Sequence, residues 1–141
     1  MFQKFNEAAR RALFFSRYEA GAVGERVIGS EHLLLGVIRQ GGAEVERVWE
    51  TLGVDTAAIR GRFPAAEPPA VASSAELPLS EHALKVLEYA LHEAEGRQAA
   101  AVGPHHLLLA MLRVPECRAA RELAEAGVTY HALAEAIGAE A

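Results

Sequence analysis

A chain of 141 residues, 51% apolar and 23% charged, is long enough for one ordinary domain or for two small halves sharing a core. Its formal net charge of −5, with Lys and Arg interspersed among Glu, argues against nucleic acid or an anionic membrane surface as partner. A single cysteine, Cys117, leaves no internal disulfide and no Cys-rich metal site. No apolar stretch approaches the roughly 20 residues that cross a bilayer, and residues 1–11 do not read as a signal peptide, so the expected location is cytoplasmic.

In chain order, Asn6 is placed to cap a first helix, with Glu7 near the positive end of its dipole. Phe5, Ala9, Ala12, Leu13, Ser16 and Ala20 then recur at helical spacing and form a face of mostly small residues that lets another helix come close. Gly21 and Gly24 are expected to end that helix. Ser30 is expected to cap a second helix, from Glu31 to about Gln40. Its Leu33, Leu34, Leu35, Val37 and Ile38 leave almost no polar side, which predicts a buried central helix.

Gly41-Gly42 stops it, and a third helix follows with Val45, Val48, Trp49 and Leu52 on one face. That company makes Trp49 a core residue rather than a stacking platform. Gly53 reads as a left-handed terminator and Asp55 as the cap of a short fourth helix burying Ala58, Ile59 and Phe63.

The plan then repeats. Phe5 to Phe63 returns without a gap as Leu79 to Ile137, each residue matched by the one 74 positions on (His32 and His106, 106 − 32 = 74). Ser80 stands for Asn6, Pro104 for Ser30 at a helix start where proline is tolerated, and Thr129 for Asp55. Ala119, Ala120 and Leu123 replace Val45, Glu46 and Trp49, so the first copy should bury the larger side chains in its third helix. A fixed offset through loops as well as helices means two copies of one supersecondary unit. The expected fold is all-α, two tandem four-helix repeats forming one pseudo-two-fold domain. Repeat 1 takes residues 1–63, a Pro/Ala-rich extended linker residues 64–78, and repeat 2 residues 79–141.

The segment Ile28-Gly29-Ser30-Glu31-His32-Leu33-Leu34-Leu35-Gly36, led by Phe5-Asn6-Glu7-Ala8-Ala9 and followed by Gly53-Val54, resembles the N-terminal domain of the Clp (Hsp100) AAA+ unfoldases, the ClpC type most of all. It recurs as Val102-Gly103-Pro104-His105-His106-Leu107-Leu108-Leu109-Ala110, and the resemblance covers essentially the whole chain. It implies a non-enzymatic, protein-binding module that captures adaptors or substrates for an ATP-driven unfoldase and its protease, with no cofactor of its own. In the ClpC branch the acidic residue of each signature is associated with phosphorylated arginine. That implies a pocket at Ser30 and Glu31, with His105 as the altered equivalent in the second copy. No G-x-x-x-x-G-K-[ST] is present, so the ATPase modules are absent from this chain. The absence of a tag or broken element at its end favours a free-standing protein over an excised N-terminal domain of a full-length ClpC-like ATPase.

The histidines carry rival readings. His32 and His106 beside the leucine runs are expected to pack and to hydrogen-bond a neighbouring loop. A small helical metal protein or enzyme using His32, His105 and His106 is the reading from another class. Adjacent helical residues diverge by about 100°, however, so His105 and His106 cannot chelate one ion together. A homo-oligomer built on the alanine-rich faces is a third.

Overall fold

A computed structural model describes residues 2–66 and 76–139, so the middle of the linker, 67–75, lies outside the described residues. After a 3-10 turn at Phe2–Lys4 come eight α-helices: α1 (Glu7–Ala22), α2 (Ser30–Gln40), α3 (Ala43–Leu52), α4 (Thr56–Gly61), α5 (Glu81–Gly96), α6 (Pro104–Leu112), α7 (Arg118–Glu125) and α8 (Tyr130–Ile137). The first four keep the order of the last four, and the all-α expectation is met among the described residues. None of these helices is long and apolar enough to cross a membrane.

Helix starts follow local chemistry. Asn6 Oδ1 accepts the Ala9 N–H at 2.9 Å, and Ser80 Oγ accepts that of Ala83 at 3.0 Å. Asp55 Oδ1 and Thr129 Oγ1 do the same for α4 and α8. Each satisfies a donor that the first helical turn leaves without an intrahelical partner. Gly53 does end α3 in the left-handed region, at φ 67° and ψ 33°.

Three local expectations are corrected. Gly21 is helical and buried, and α1 runs on to Ala22 before the chain turns at Gly24, φ 84°. Ala58 is exposed, so Ile59 is the buried residue of α4. Gly29, not Ser30, caps α2, and Ser30 is the helix's first residue, buried at 2% exposure.

The core is built on the two leucine triplets, Leu33–Leu35 and Leu107–Leu109, all at or below 1% exposure. As expected, α3 buries Val45, Val48 and Trp49 where α7 buries Ala119, Ala120 and Leu123. Helices α1 and α2 cross closely: a Cβ on Gly36 would lie 2.3 Å from the Ala12 carbonyl oxygen and 2.4 Å from Ser16 Oγ.

The two copies interlock where the chain leads into helices α1, α2, α5 and α6. Phe5 pairs with Val102, and Ile28 with Leu79, as single parallel bridges. The N–H of Asn6 donates to Val102 O (2.9 Å) and that of Val102 to Lys4 O (2.8 Å). In the other half Ile28 donates to Pro78 O (2.8 Å) and Ser80 to Ile28 O (2.9 Å). The 74-residue offset exchanges one half of this set for the other, as at an isologous interface. Each bridge ends one residue before a helix cap, so the N-termini of α2 and α6 lie on the seam between copies.

Ser30 ties the seam. Its Oγ accepts the Ala119 N–H of α7 at 3.0 Å, across 89 positions of sequence. Ser30→Ala should cost about 1–3 kcal/mol in urea unfolding, because it strands a buried donor. A change within about 0.5 kcal/mol, the surface range, would show that the bond carries no weight.

Candidate functional site

The glycine caps of α2 and α6 are completed by histidine. His32 Nδ1 accepts the Gly29 N–H at 2.8 Å, and His106 Nδ1 accepts the Gly103 N–H at 2.9 Å, each reaching back from the third helical position. This is the loop-bonding role expected of the pair. Burial lowers the His32 imidazole from its ordinary value of 6.5, against the opposing charges of Glu31, Glu25 and Glu19. The folded chain therefore keeps His32 neutral while the unfolded chain binds a proton. Its stabilisation is complete above about pH 6.5 and is lost as pH falls below it. The urea midpoint should be lower at pH 5.5 than at pH 7.5. That difference should shrink in His32→Gln, whose amide oxygen can take the same N–H without titrating. An unchanged difference would remove His32 from the pH response.

Beside the α2 start lies a hollow of about 310 Å³ made by both copies. Repeat 1 contributes Glu25, Gly29, Ser30 and Glu31 among others, repeat 2 contributes Ser80 and His82 from the start of α5 and Glu116 before α7, and Arg118 and Arg121 come from α7. Glu31 is half-buried and has no ion pair within 4.0 Å among the described residues. Its carboxylate folds back over Gly29, where a Cβ would lie 2.3 Å from Oε1, so only glycine leaves room for that pose. Ser30 lines the hollow, but its oxygen is engaged by Ala119, so its part is to bring α7 and its arginines to Glu31.

Arg118 is held from behind. Its Nε donates to Glu122 Oε2 at 3.0 Å, and its guanidinium lies over the Phe63 ring at 4.7 Å. Arg62 also binds Glu122, at 2.6 Å. Burial works to raise the Glu122 carboxyl, but hydrogen bonds from Arg62 and Arg118 outweigh it and hold it below its ordinary value. Arg121 is exposed and has no ion pair within 4.0 Å among the described residues. The hollow thus holds both signs of charge, the carboxylates of Glu31, Glu25 and Glu116 and the guanidinium groups of Arg118 and Arg121, which suits a ligand with a cationic and an anionic end. Sequence reasoning missed both arginines, since nothing local places residue 118 beside residue 31.

The offset turns this hollow into a second one, of about 370 Å³, lined by Asn6, Glu44, Arg47 and His105 among others. His105 stands where Glu31 stood and Glu44 where Arg118 stood, while Arg47 keeps the place of Arg121. His105 Nδ1 lies 2.8 Å from Glu44 Oε1. The His105 and His106 ring centroids are 3.9 Å apart, yet His106 Nδ1 already accepts Gly103 N–H. Among the described residues no three His, Cys, Asp or Glu side chains gather as a metal would require.

The family described as the Clp repeat (R) N-terminal domain matches residues 4–126 and again 78–141. Curated relatives include the chaperone protein ClpB of Oceanobacillus iheyensis and the negative regulator of genetic competence ClpC/MecB of Bacillus subtilis. Each is 31% identical over 131 residues, 93% of this chain and 16% of theirs. The chain thus spans about a sixth of their length. Solved structures with this fold include the N-terminal domain of ClpD from Arabidopsis thaliana (TM-score 0.68, 23% identity, 97% of this chain and 96% of that one). The Hsp104 N-terminal domain of Candida albicans is another (TM-score 0.73, 17% identity, 96% and 89%).

Proposed function

The chain belongs to the Clp repeat N-terminal domain family, and from that premise we propose that it is a non-enzymatic receptor that presents protein adaptors or substrates to a Clp AAA+ unfoldase. The reading is the same whether that ATPase is part of this polypeptide or a partner. The proposal includes the division into repeat 1 (1–63), linker (64–78) and repeat 2 (79–141), and a cytoplasmic setting, with which the buried free thiol of Cys117 agrees.

The hollow at Glu31 is proposed to take a phosphorylated arginine side chain. The observation that carries this is that Glu31, whose carboxylate has no ion pair within 4.0 Å among the described residues, shares one small hollow with Arg118 and Arg121. A carboxylate accepts paired hydrogen bonds from a guanidinium, and guanidinium groups receive a phosphoryl oxygen in the same manner. Phosphoarginine carries both ends on one side chain.

Calorimetry with a phosphoarginine peptide tests the assignment. Glu31→Ala should weaken binding by about 1.5–3 kcal/mol, the worth of a hydrogen bond to a charged group. Glu31→Gln should lose most of that while keeping the fold, since it removes charge and not shape. Unaltered affinity in both variants would remove Glu31 from the site.

A further inference from the structure

One seam hollow has a support that the other lacks, and Glu122 organises it. The Glu122 side chain is 4% exposed, on α7. Its equivalent on α3 is Val48, a core residue at 0% exposure. Packing at this position is thus satisfied by an apolar side chain, and a carboxylate there is unfavourable unless partners replace its lost water. The partners are two arginines. Arg62 Nε donates to one oxygen at 2.6 Å, and Arg118 Nε, one turn before Glu122 on α7, to the other at 3.0 Å. The Arg118 guanidinium also lies over the Phe63 ring at 4.7 Å. None of these residues is copied by the repeat: Ala136 stands at the place of Arg62, Ile137 at that of Phe63 and Glu44 at that of Arg118. The whole set belongs to the Glu31 side.

Arg118 gives Glu122 only its Nε. The two terminal nitrogens make no hydrogen bond or ion pair among the described residues, on a side chain that lines the hollow with Glu31. An exposed arginine ordinarily samples many rotamers and must give them up when it binds a ligand. The bond at Nε and the ring beneath the guanidinium restrict Arg118 beforehand, while its outer fork stays charged and open. Arg121, one turn further along α7, is exposed and has no such support.

We propose that Glu122, with Arg62 and Phe63, is the positioning residue that presents Arg118 to the phosphoryl group and gives the hollow its preference for phosphorylated over unmodified arginine. The inference rests on the phosphoarginine reading of the hollow. Glu31 alone cannot supply that preference, because a carboxylate binds the guanidinium end of either side chain. Discrimination falls to the cation that meets the phosphoryl oxygens. A planar guanidinium fixed before the ligand arrives binds them with less loss of freedom than one that must first be ordered. Arg62 engages the second oxygen of Glu122, so that the buried carboxylate has both oxygens satisfied and stays ionised.

Calorimetry with two peptides of one sequence, one carrying phosphoarginine and the other arginine, tests the role through the ratio of their affinities. The parent protein should prefer the phosphorylated peptide, and Glu31→Gln should weaken both. Glu122→Val places there the residue that the other copy carries, and Arg62 and Arg118, 40% and 41% exposed, are free to turn to water. The ratio should then fall about three- to tenfold, the effect of ordering one long side chain on binding, with the arginine peptide bound as before. Glu122→Gln keeps the shape and one acceptor oxygen, so its ratio should fall by less. It carries the test should the valine variant misfold. No preference in the parent would remove the phosphoarginine reading and this inference with it. A parent preference kept in full by either folded variant, or an equal weakening of both peptides, would leave that reading standing and overturn the role given to Glu122.

Discussion

Leu34→Ala and Leu108→Ala should each lower unfolding free energy by about 2–5 kcal/mol, measured by urea titration followed by circular dichroism. Both side chains are at 0% exposure in the central helix of their repeat. Removing most of a leucine there loses its transfer free energy and leaves a cavity that surrounding helices cannot fully close. The two losses should be of one order, because the residues are equivalent under the repeat. A change within about 0.5 kcal/mol at either position would mean that the leucine faces solvent or a partner instead of the core.

Gly36→Val should cost about 3 kcal/mol, and Gly36→Ala about 1–3 kcal/mol, by overpacking. The Ala12 carbonyl oxygen and Ser16 Oγ already lie within 2.4 Å of where the first added carbon would sit. Ser16 is fixed there, donating to the Ala12 carbonyl at 2.8 Å, so the obstacle is backbone and a hydrogen-bonded hydroxyl. Repeat 2 carries Ala110 at the matching position, with Val86 and Ala90 at the places of Ala12 and Ser16. Ala110→Gly should therefore cost about 1 kcal/mol, mainly through the flexibility of glycine in a helix. Equal tolerance of Gly36→Val and Ala110→Gly would show that α1 and α2 are free to separate.

What could be read from the sequence was local or repeated. Asn6, Ser80, Asp55 and Thr129 cap helices through N–H groups two or three residues away, and the offset of 74 carried the helix order from one copy to the other. Ser30 escaped this reading because its acceptor role is spent on Ala119, 89 positions distant. A buried hydroxyl serves the nearest unsatisfied donor, whichever repeat supplies it. Glu31 and His105 could be named from their signatures, but not the residues facing them. Arg118 in one hollow with Glu31, and Glu44 against His105, follow from the seam that the two bridges create.

The stoichiometry of phosphoarginine binding tests the central claim, that one of the two seam hollows is a receptor and the other is not. Titration of the protein with a phosphoarginine peptide, with 15N amide shifts assigning the site, should give one dominant site at Gly29–His32 and α7. Amides around His105 and Glu44 should stay in place, because a carboxylate at residue 44 repels a phosphoryl group that Arg118 attracts. The double exchange His105→Glu with Glu44→Arg should create a second site. Two equal sites in the parent protein, or a single site on the His105 side, would contradict the assignment and leave the fold without it.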